Sequence, residues 1–282
     1  MGEVLSGKVL ANNLKEDIKN YTKFLKEQGK AAPCLLSIQV GEDPGSEYYI
    51  SNQQKVSESL GIKFIKKSYG EGIKEDDLLK DIDSANKNPE IHGIIIQLPL
   101  PKEININKVL SSISPEKDVD GQSDINISRL YKGEEAFVPC TAESILRLIK
   151  SVKDNLQGLR AVVIGRSTIV GKPAANLLLQ ENATVTICHS KTVNLKEICR
   201  EADVLVSAIG KPKFIDKEYI KPGAIVIDVG TSSHEGKITG DVDFDSAMEV
   251  AAFVTPVPGG VGAVTTSILL DNVCKVYRKY AD

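Results

Sequence analysis

The chain has 282 residues, 41% hydrophobic and 26% charged, with 35 Lys plus Arg against 38 Asp plus Glu and a formal net charge of -3. At ~150 residues per domain this is about two domains of ordinary globular composition, which excludes a disordered chain, a collagen-like repeat and a coiled coil. The mildly acidic balance lacks the basic footprint of a nucleic-acid binder, and no apolar run approaches the ~20 residues that cross a membrane.

The opening residues MGEVLSGKVLANNLKEDIKN predict no signal peptide, since no basic segment precedes an apolar one. Apolar positions at helical spacing (Leu10, Leu14, Ile18, Tyr21, Leu25) predict a helix over 9–29. Strand CLLSIQVG (34–41), helix 46–60, strand IKFIKKSY (62–69), helix 75–86 and strand HGIIIQLPLP (92–101) follow. This β-α-β-α-β order predicts a parallel sheet covered by helices. The polar stretch from Lys117 to Pro139 reads as the domain boundary. A second series follows: helix 142–153, strand 160–165, helix 170–180, strand 183–188, helix 195–202, strands 203–210, 224–230 and 251–257, and a terminal helix over 263–280. Five scattered cysteines without CxxC spacing predict reduced thiols in a cytoplasmic protein. Cys34, Cys140 and Cys188 read as small buried hydrophobes. No His/Cys/Asp cluster has metal-ligand spacing, so no metal is predicted.

A strand, a glycine turn and a helix place backbone N–H groups against a phosphate. Here the turn runs from Gly165 to Gly171 as G-x-S-x-x-x-G, a form also common at strand–helix junctions that bind nothing. The tip of the next strand carries Cys188-His189-Ser190-Lys191-Thr192, with no acid to hold a ribose 2′-hydroxyl. A hydroxyl, Lys191 and Arg166 across the turn suit a 2′-phosphate instead, which favours NADP over NAD. The other reading of His189 and Lys191 is a solvated loop. The turn Pro256–Gly262 is rich enough in glycine for backbone to approach a ligand closely, or simply to start a helix.

GRSTIVGKP (165–173), ATVTICHSKT (183–192), GAIVIDVG (223–230), GDVDF (240–244) and TPVPGGVG (255–262) resemble the second domain of the methylenetetrahydrofolate dehydrogenase/cyclohydrolase family. GIIIQLPLP (93–101), PEKDVDG (115–121) and VPCT (138–141) extend the resemblance to the first half, in the same order. The resemblance implies an α/β fold of two domains with the active-site cleft between them. A folate-binding domain would comprise 1–139 plus the helix 263–282, and a Rossmann-type NADP-binding domain 140–262. It implies NADP-dependent oxidation of 5,10-methylenetetrahydrofolate, hydrolysis to 10-formyltetrahydrofolate in many members, and a homodimer. Carried over by residue, Gly165, Arg166 and Ser167 would cradle phosphates. His189, Ser190, Lys191 and Thr192 would lie near the 2′-phosphate, and Gly230 and Thr231 by the nicotinamide. Tyr49, Gln53, Gln97 and Asp120 would be the catalytic positions. Leu98, Pro258, Gly259, Gly260, Val261 and Gly262 would join them in contacting the folate. A carboxylate at Asp120 can accept from both the 2-amino group and a ring N–H of a pterin.

The family helix signature is S-x-x-Y-[VI]-x-x-K-x-K. Here Ser46, Tyr49, Ile50 and Lys55 match, but Gln53 stands at the catalytic lysine. At ~100° per residue Gln53 lies about 40° round the helix from Tyr49, and Lys55 about 240°. Lys55 is therefore not expected to substitute. Hydride transfer asks mainly for positioning, whereas hydrolysis of the resulting cation must move protons, which an amide cannot do by titration. The sequence thus predicts a dehydrogenase with weak or absent cyclohydrolase activity, in a cell that depends on a separate cyclohydrolase. Ala263, Val264, Thr231 and Ala142-Glu143-Ser144 are smaller departures that remove no group the hydride step needs. A fully bifunctional enzyme, a non-catalytic folate/NADP-binding module and a two-domain dehydrogenase for a shikimate-like acid are the competing readings. The last explains neither KDVDG nor IIQLPLP.

Overall fold

The computed structural model describes residues 2–234 and 237–281. The chain divides into two compact units, Met1–Asn12 with Pro139–Thr265, and Asn13–Val138 with Thr266–Asp282. The opening elements are β1 (Glu3–Val4) and α1 (Lys8–Glu27). Then come β2 (Cys34–Val40), α2 (Pro44–Ser59), β3 (Lys63–Tyr69), α3 (Glu75–Lys87) and β4 (Gly93–Ile96). The three longer strands form a parallel sheet in the order β3-β2-β4, with Ile38 opposite Lys67 on one side and Ile96 on the other. Every residue of β2 is buried, the polar Ser37 and Gln39 included, as in a parallel strand covered on both faces. The first crossover leaves β2 on one side and the second returns on the other. The sheet therefore changes winding between β2 and β4, and a crevice opens at the carboxyl ends of those strands. Gln97 stands there, its N–H donating to the Ile38 carbonyl at 2.8 Å.

The strand expected over 92–101 ends at Ile96, because Pro99 and Pro101 bring no N–H to continue the ladder. Leu98 and Leu100 instead pack on the core beside Ile38, Ile94 and Ile96. Two helices not anticipated from sequence follow, α4 (Ile106–Ser111) and α5 (Asp124–Lys132). The second lies inside the stretch expected to be a polar boundary. Its ends are marked in the sequence all the same: Ser123 caps the start by accepting from Asn126 N–H, and Gly133 at φ 73° ends it.

The other unit contains α6 (Cys140–Val152), β5 (Arg160–Ile164), α7 (Gly171–Gln180), β6 (Thr184–Cys188), α8 (Leu195–Cys199), β7 (Val204–Ser207) and β8 (Ile225–Asp228). A short antiparallel hairpin of β9 (Ser232–His234) and β10 (Lys237–Thr239), then α9 (Phe244–Met248), β11 (Phe253–Val254) and α10 (Val261–Ala281) complete the chain. The sheet is parallel throughout, in the order β1-β11-β8-β7-β5-β6. Because β1 pairs with β11 (Glu3 opposite Phe253), the first dozen residues group with this unit and not, as expected, with the first domain. A two-residue strand carries too little pattern to be read from sequence. Registers set Ile164 level with Cys188 and Ser207, and Ser207 level with Asp228. The turns that begin at Gly165, His189 and Val229 therefore leave the same edge of the sheet.

All five cysteines are free thiols and buried. Burial pushes Cys199 and Cys274 up to about 12. The native protein is therefore expected to consume no thiol reagent on the timescale on which the denatured chain consumes five equivalents, as a colorimetric thiol titration would read. Among the described residues no helix is long and apolar enough to cross a membrane, and no group of three or more His, Cys, Asp or Glu could hold a metal ion.

Candidate active site and cofactor turn

Helix α2 turns Ile50 and Ser57 into the interior, both essentially inaccessible. Gln53 lies between them on the same stripe and is half-buried, facing the end of the sheet. Its Oε1 accepts a 3.0 Å hydrogen bond from Gln97 Nε2, which also donates to Ser37 Oγ at 2.9 Å. Both amide hydrogens of Gln97 are thereby fixed by β2 and α2. The pair presents Gln53 Nε2 as a donor and Gln97 Oε1 as an acceptor, with no titrating group in it. Tyr49, one helical turn before Gln53, is 43% exposed, so its phenol reaches solvent from the same face. Lys55 is exposed on another face, in keeping with the helix geometry.

The segment carrying Asp120 joins the outer edge of β4 through a parallel bridge between Ile94 and Asp118. Asp118 is buried and structural: its carboxylate accepts from Gln122 N, Ser123 N and Asn126 Nδ2 at 3.1, 2.7 and 2.9 Å. Asp120 is half-buried and accepts from Gln122 Nε2. Two aspartates two residues apart thus do different work, one building the loop and the other facing outward from it. Sequence reasoning gave Asp118 no role.

In the other unit the turn Pro258–Gly262 splits in the same way. Gly260 is buried so tightly against the chain's own start that a Cβ on Gly7 would meet its carbonyl at 2.2 Å, and Gly7 N–H donates to Gly259 O at 2.9 Å. Val261 is buried as the first residue of α10. Pro258 and Gly262 are exposed, and a Cβ on Gly262 would meet nothing. The close approach that glycine permits here is partly made to the N-terminal segment.

The turn after β5 has the form a phosphate site needs. Gly165 holds φ +138°, and a Cβ there would strike Ala208 O at 2.5 Å. A Cβ on Gly171 would strike Gly165 O at 2.2 Å, so the helix start is drawn against the strand end. Ser167 Oγ accepts from Val170 N and Gly171 N at 3.2 and 3.3 Å and so ties the turn to the first residue of that helix. At the tip of β6, His189 N donates to Thr192 Oγ1 at 2.8 Å and Lys191 N to His189 Nδ1 at 3.2 Å. Thr192 and His189 therefore lock the turn, while Ser190, Lys191 and Arg166 are exposed and available. These residues fit a dinucleotide with a phosphorylated ribose: a backbone cradle, two cations, a hydroxyl and no carboxylate at the strand tip.

Two acids missed in the sequence organise the remaining turn. Asp228 ends β8 buried, and its carboxylate accepts from Gly230 N, Asp241 N and Val242 N, each at 2.9 Å. Asp241, fully buried, accepts from Ser207 Oγ, Ile209 N and Lys211 N at 3.1, 2.8 and 2.8 Å. Burial, reinforced by the neighbouring Asp241, pushes Asp228 up to about 6 against its three N–H donors. Gly230 is required because a Cβ would meet Asp241 Oδ1 at 2.4 Å. This interlock fixes the backbone that leads to exposed Thr231. The signal was the pair of acids in IDVG and GDVDF, but nothing in sequence says that both are buried.

Known proteins share this arrangement. Residues 5–120 match the catalytic domain of tetrahydrofolate dehydrogenase/cyclohydrolase, and residues 139–281 match its NAD(P)-binding domain. The chain is 53% identical to the Bifunctional protein FolD of Clostridium botulinum, over 100% of both chains. The crystal structure of the FolD methylenetetrahydrofolate dehydrogenase/cyclohydrolase from Campylobacter jejuni has a TM-score of 0.95 at 40% identity, covering 99% of each chain. That of Trypanosoma brucei, complexed with NADP cofactor and inhibitor, has a TM-score of 0.94 at 34% identity, covering 99% of this chain and 98% of that one. The two domains, the Gln97 crevice and the Gly165 turn therefore belong to a member of the tetrahydrofolate dehydrogenase/cyclohydrolase family.

Proposed function

We propose that this chain is an NADP-dependent 5,10-methylenetetrahydrofolate dehydrogenase with weak or absent cyclohydrolase activity, working in the cytoplasm as a homodimer on tetrahydrofolate one-carbon derivatives. The observation that carries the reading is the amide pair Gln53–Gln97 at the sheet switch point, where the family has a lysine. The C. botulinum relative bears the name bifunctional, and the departure rests on this one position. Asp120 accepts the pterin's 2-amino and ring N–H protons and sets the ring's orientation. Gln97 and Tyr49 position the one-carbon unit, with Leu98 and the outer residues of Pro258–Gly262 against the folate. Bound NADP supplies the hydride acceptor. Oxidation leaves a positive charge shared by the two folate nitrogens, so the protein moves no proton in that step. Adding water to the cation requires a group that polarises the water and accepts its proton, worth ~10²–10⁴-fold when well placed. An amide bonded to a second amide can hydrogen-bond the water but cannot accept its proton. The product leaves as the methenyl cation, and a separate cyclohydrolase would complete the route to 10-formyltetrahydrofolate.

The exposed cations should decide cofactor choice. Loss of one charge-assisted bond to a phosphate, as in Lys191→Ala, is expected to raise KM for NADP about 10–100-fold and leave KM for NAD unchanged. Steady-state NADPH formation from methylenetetrahydrofolate reads both the activity and the ratio. Absence of cofactor reduction by the unaltered protein would point to a non-catalytic binding module.

A further inference from the structure

The Asn13–Val138 unit holds a second concavity at the amino ends of its strands, the end of the sheet away from Gln97. It has a volume of about 600 Å³ and is lined in part by Lys63, Glu90, His92, Lys117, Tyr277 and Tyr280. His92 precedes β4 and Gln97 follows it, so ~16 Å of strand separates the two sites. Two buried polar groups in its wall are incompletely used. Lys117, 5% exposed, donates to the carbonyls of Ala85 and Asn88 at the C-terminal end of α3 at 3.2 and 2.6 Å, which leaves its third N–H without an acceptor and its charge without a carboxylate among the described residues. His92, 7% exposed, accepts from Cys34 N at Nδ1 (3.1 Å), so the neutral ring carries its proton on Nε2, for which the described residues offer no acceptor. Lys63 at the rim has no carboxylate partner among the described residues, and Glu90 is the one acid among the described lining residues. The His92 and Tyr277 rings lie 4.7 Å apart, tilted by 47°, and Tyr280 stands 57% exposed at the mouth.

A buried ammonium held only by helix-end carbonyls still gains from an anion that reaches it, and aromatic walls favour a flat apolar body. We propose that this cavity is an accessory binding site for a small planar ring bearing one anionic group, with the ring against Tyr277 and Tyr280 and the anion against Lys117, Lys63 and the His92 Nε2–H. The volume is of the size that holds such molecules. The site shares no residue with the folate or cofactor positions, and its test does not depend on the activity.

The chain has three histidines, His92, His189 and His234, so imidazole signals of 13C-histidine-labelled protein can be assigned by elimination with His189→Gln and His234→Gln. Benzoate supplies the ring with a carboxylate and AMP the ring with a phosphate. Benzamide lacks the charge, and inorganic phosphate lacks the ring. A saturable shift of the His92 signals by benzoate or AMP is expected, at least about tenfold tighter than with benzamide or inorganic phosphate, and weakened about tenfold by Lys63→Glu. Tyr280→Ala, at an exposed position, should weaken it as well and serves if Lys63→Glu does not fold. The response to benzoate against AMP separates a carboxylate from a phosphate ligand. The proposal is overturned if neither moves His92, if AMP moves His189 alone and benzoate nothing, if benzamide or phosphate matches them, or if both rim variants leave the response intact.

Discussion

Gln53→Lys is expected to raise hydrolysis of 5,10-methenyltetrahydrofolate ~10²–10⁴-fold over the unaltered protein, the range of a well-placed proton-transfer group. The backbone at this position already points the side chain at Gln97, since Gln53 Oε1 sits 3.0 Å from Gln97 Nε2. A lysine there would meet the same amide, which can turn its oxygen toward the ammonium while Ser37, able to donate or accept, keeps its bond. Dehydrogenase kcat should change by less than about tenfold, because that step calls on positioning rather than proton transfer. Lys55 cannot provide the function in the unaltered chain, being exposed on a different face of α2. Removing it by Lys55→Ala should leave both rates unchanged, which separates its contribution from that of residue 53. Formation of 10-formyltetrahydrofolate after mixing with the methenyl compound, corrected for the uncatalysed rate, gives the comparison.

Asp228→Ala is expected to cost about 3–9 kcal/mol of stability, a large part of the ~5–15 kcal/mol that a domain has. The carboxylate is the acceptor for three buried backbone N–H groups, those of Gly230, Asp241 and Val242. Truncation leaves each without a partner, at ~1–3 kcal/mol apiece. Asp228→Asn should lose less, because its remaining oxygen still serves part of the set. The effect should be local in function as well. The Gly230–Thr231 turn would lose its anchor, so NADP affinity should fall in Asp228→Asn at temperatures where the variant is folded. Urea denaturation gives the first quantity, and cofactor titration of the folded variant the second.

Much of this was legible in the residues, and what was not has physical causes. The βαβ alternations emerged because buried parallel strands are dominated by apolar residues, as in GIII of β4. Gln53 stood out only by resemblance, because the family signature has a lysine four residues after the tyrosine, on the same helix face. By contrast, β1 and the hairpin of β9 and β10 are too short to show a period, and β1 is placed only by β11, some 250 residues later. Asp228 and Asp241 looked like two acids among 38, since burial is a property of the folded chain alone. By resemblance His189 and Thr192 go to the cofactor as a block with their neighbours. In the fold they shape the turn, and Ser190 and Lys191 project from it. The glycines of Pro258–Gly262 were read for a ligand, whereas Gly260 is held by Gly7, a contact that spans almost the whole chain.

In the proposed function, one amide in place of a lysine separates two activities that many members of the family couple. This separation is tested most directly by measuring both on a single preparation of the unaltered protein, NADPH release from methylenetetrahydrofolate and hydrolysis of added methenyltetrahydrofolate. Sustained NADPH formation is expected, with methenyltetrahydrofolate accumulating and decaying at its uncatalysed rate. Release of 10-formyltetrahydrofolate at a rate comparable to NADPH formation would contradict the proposed function.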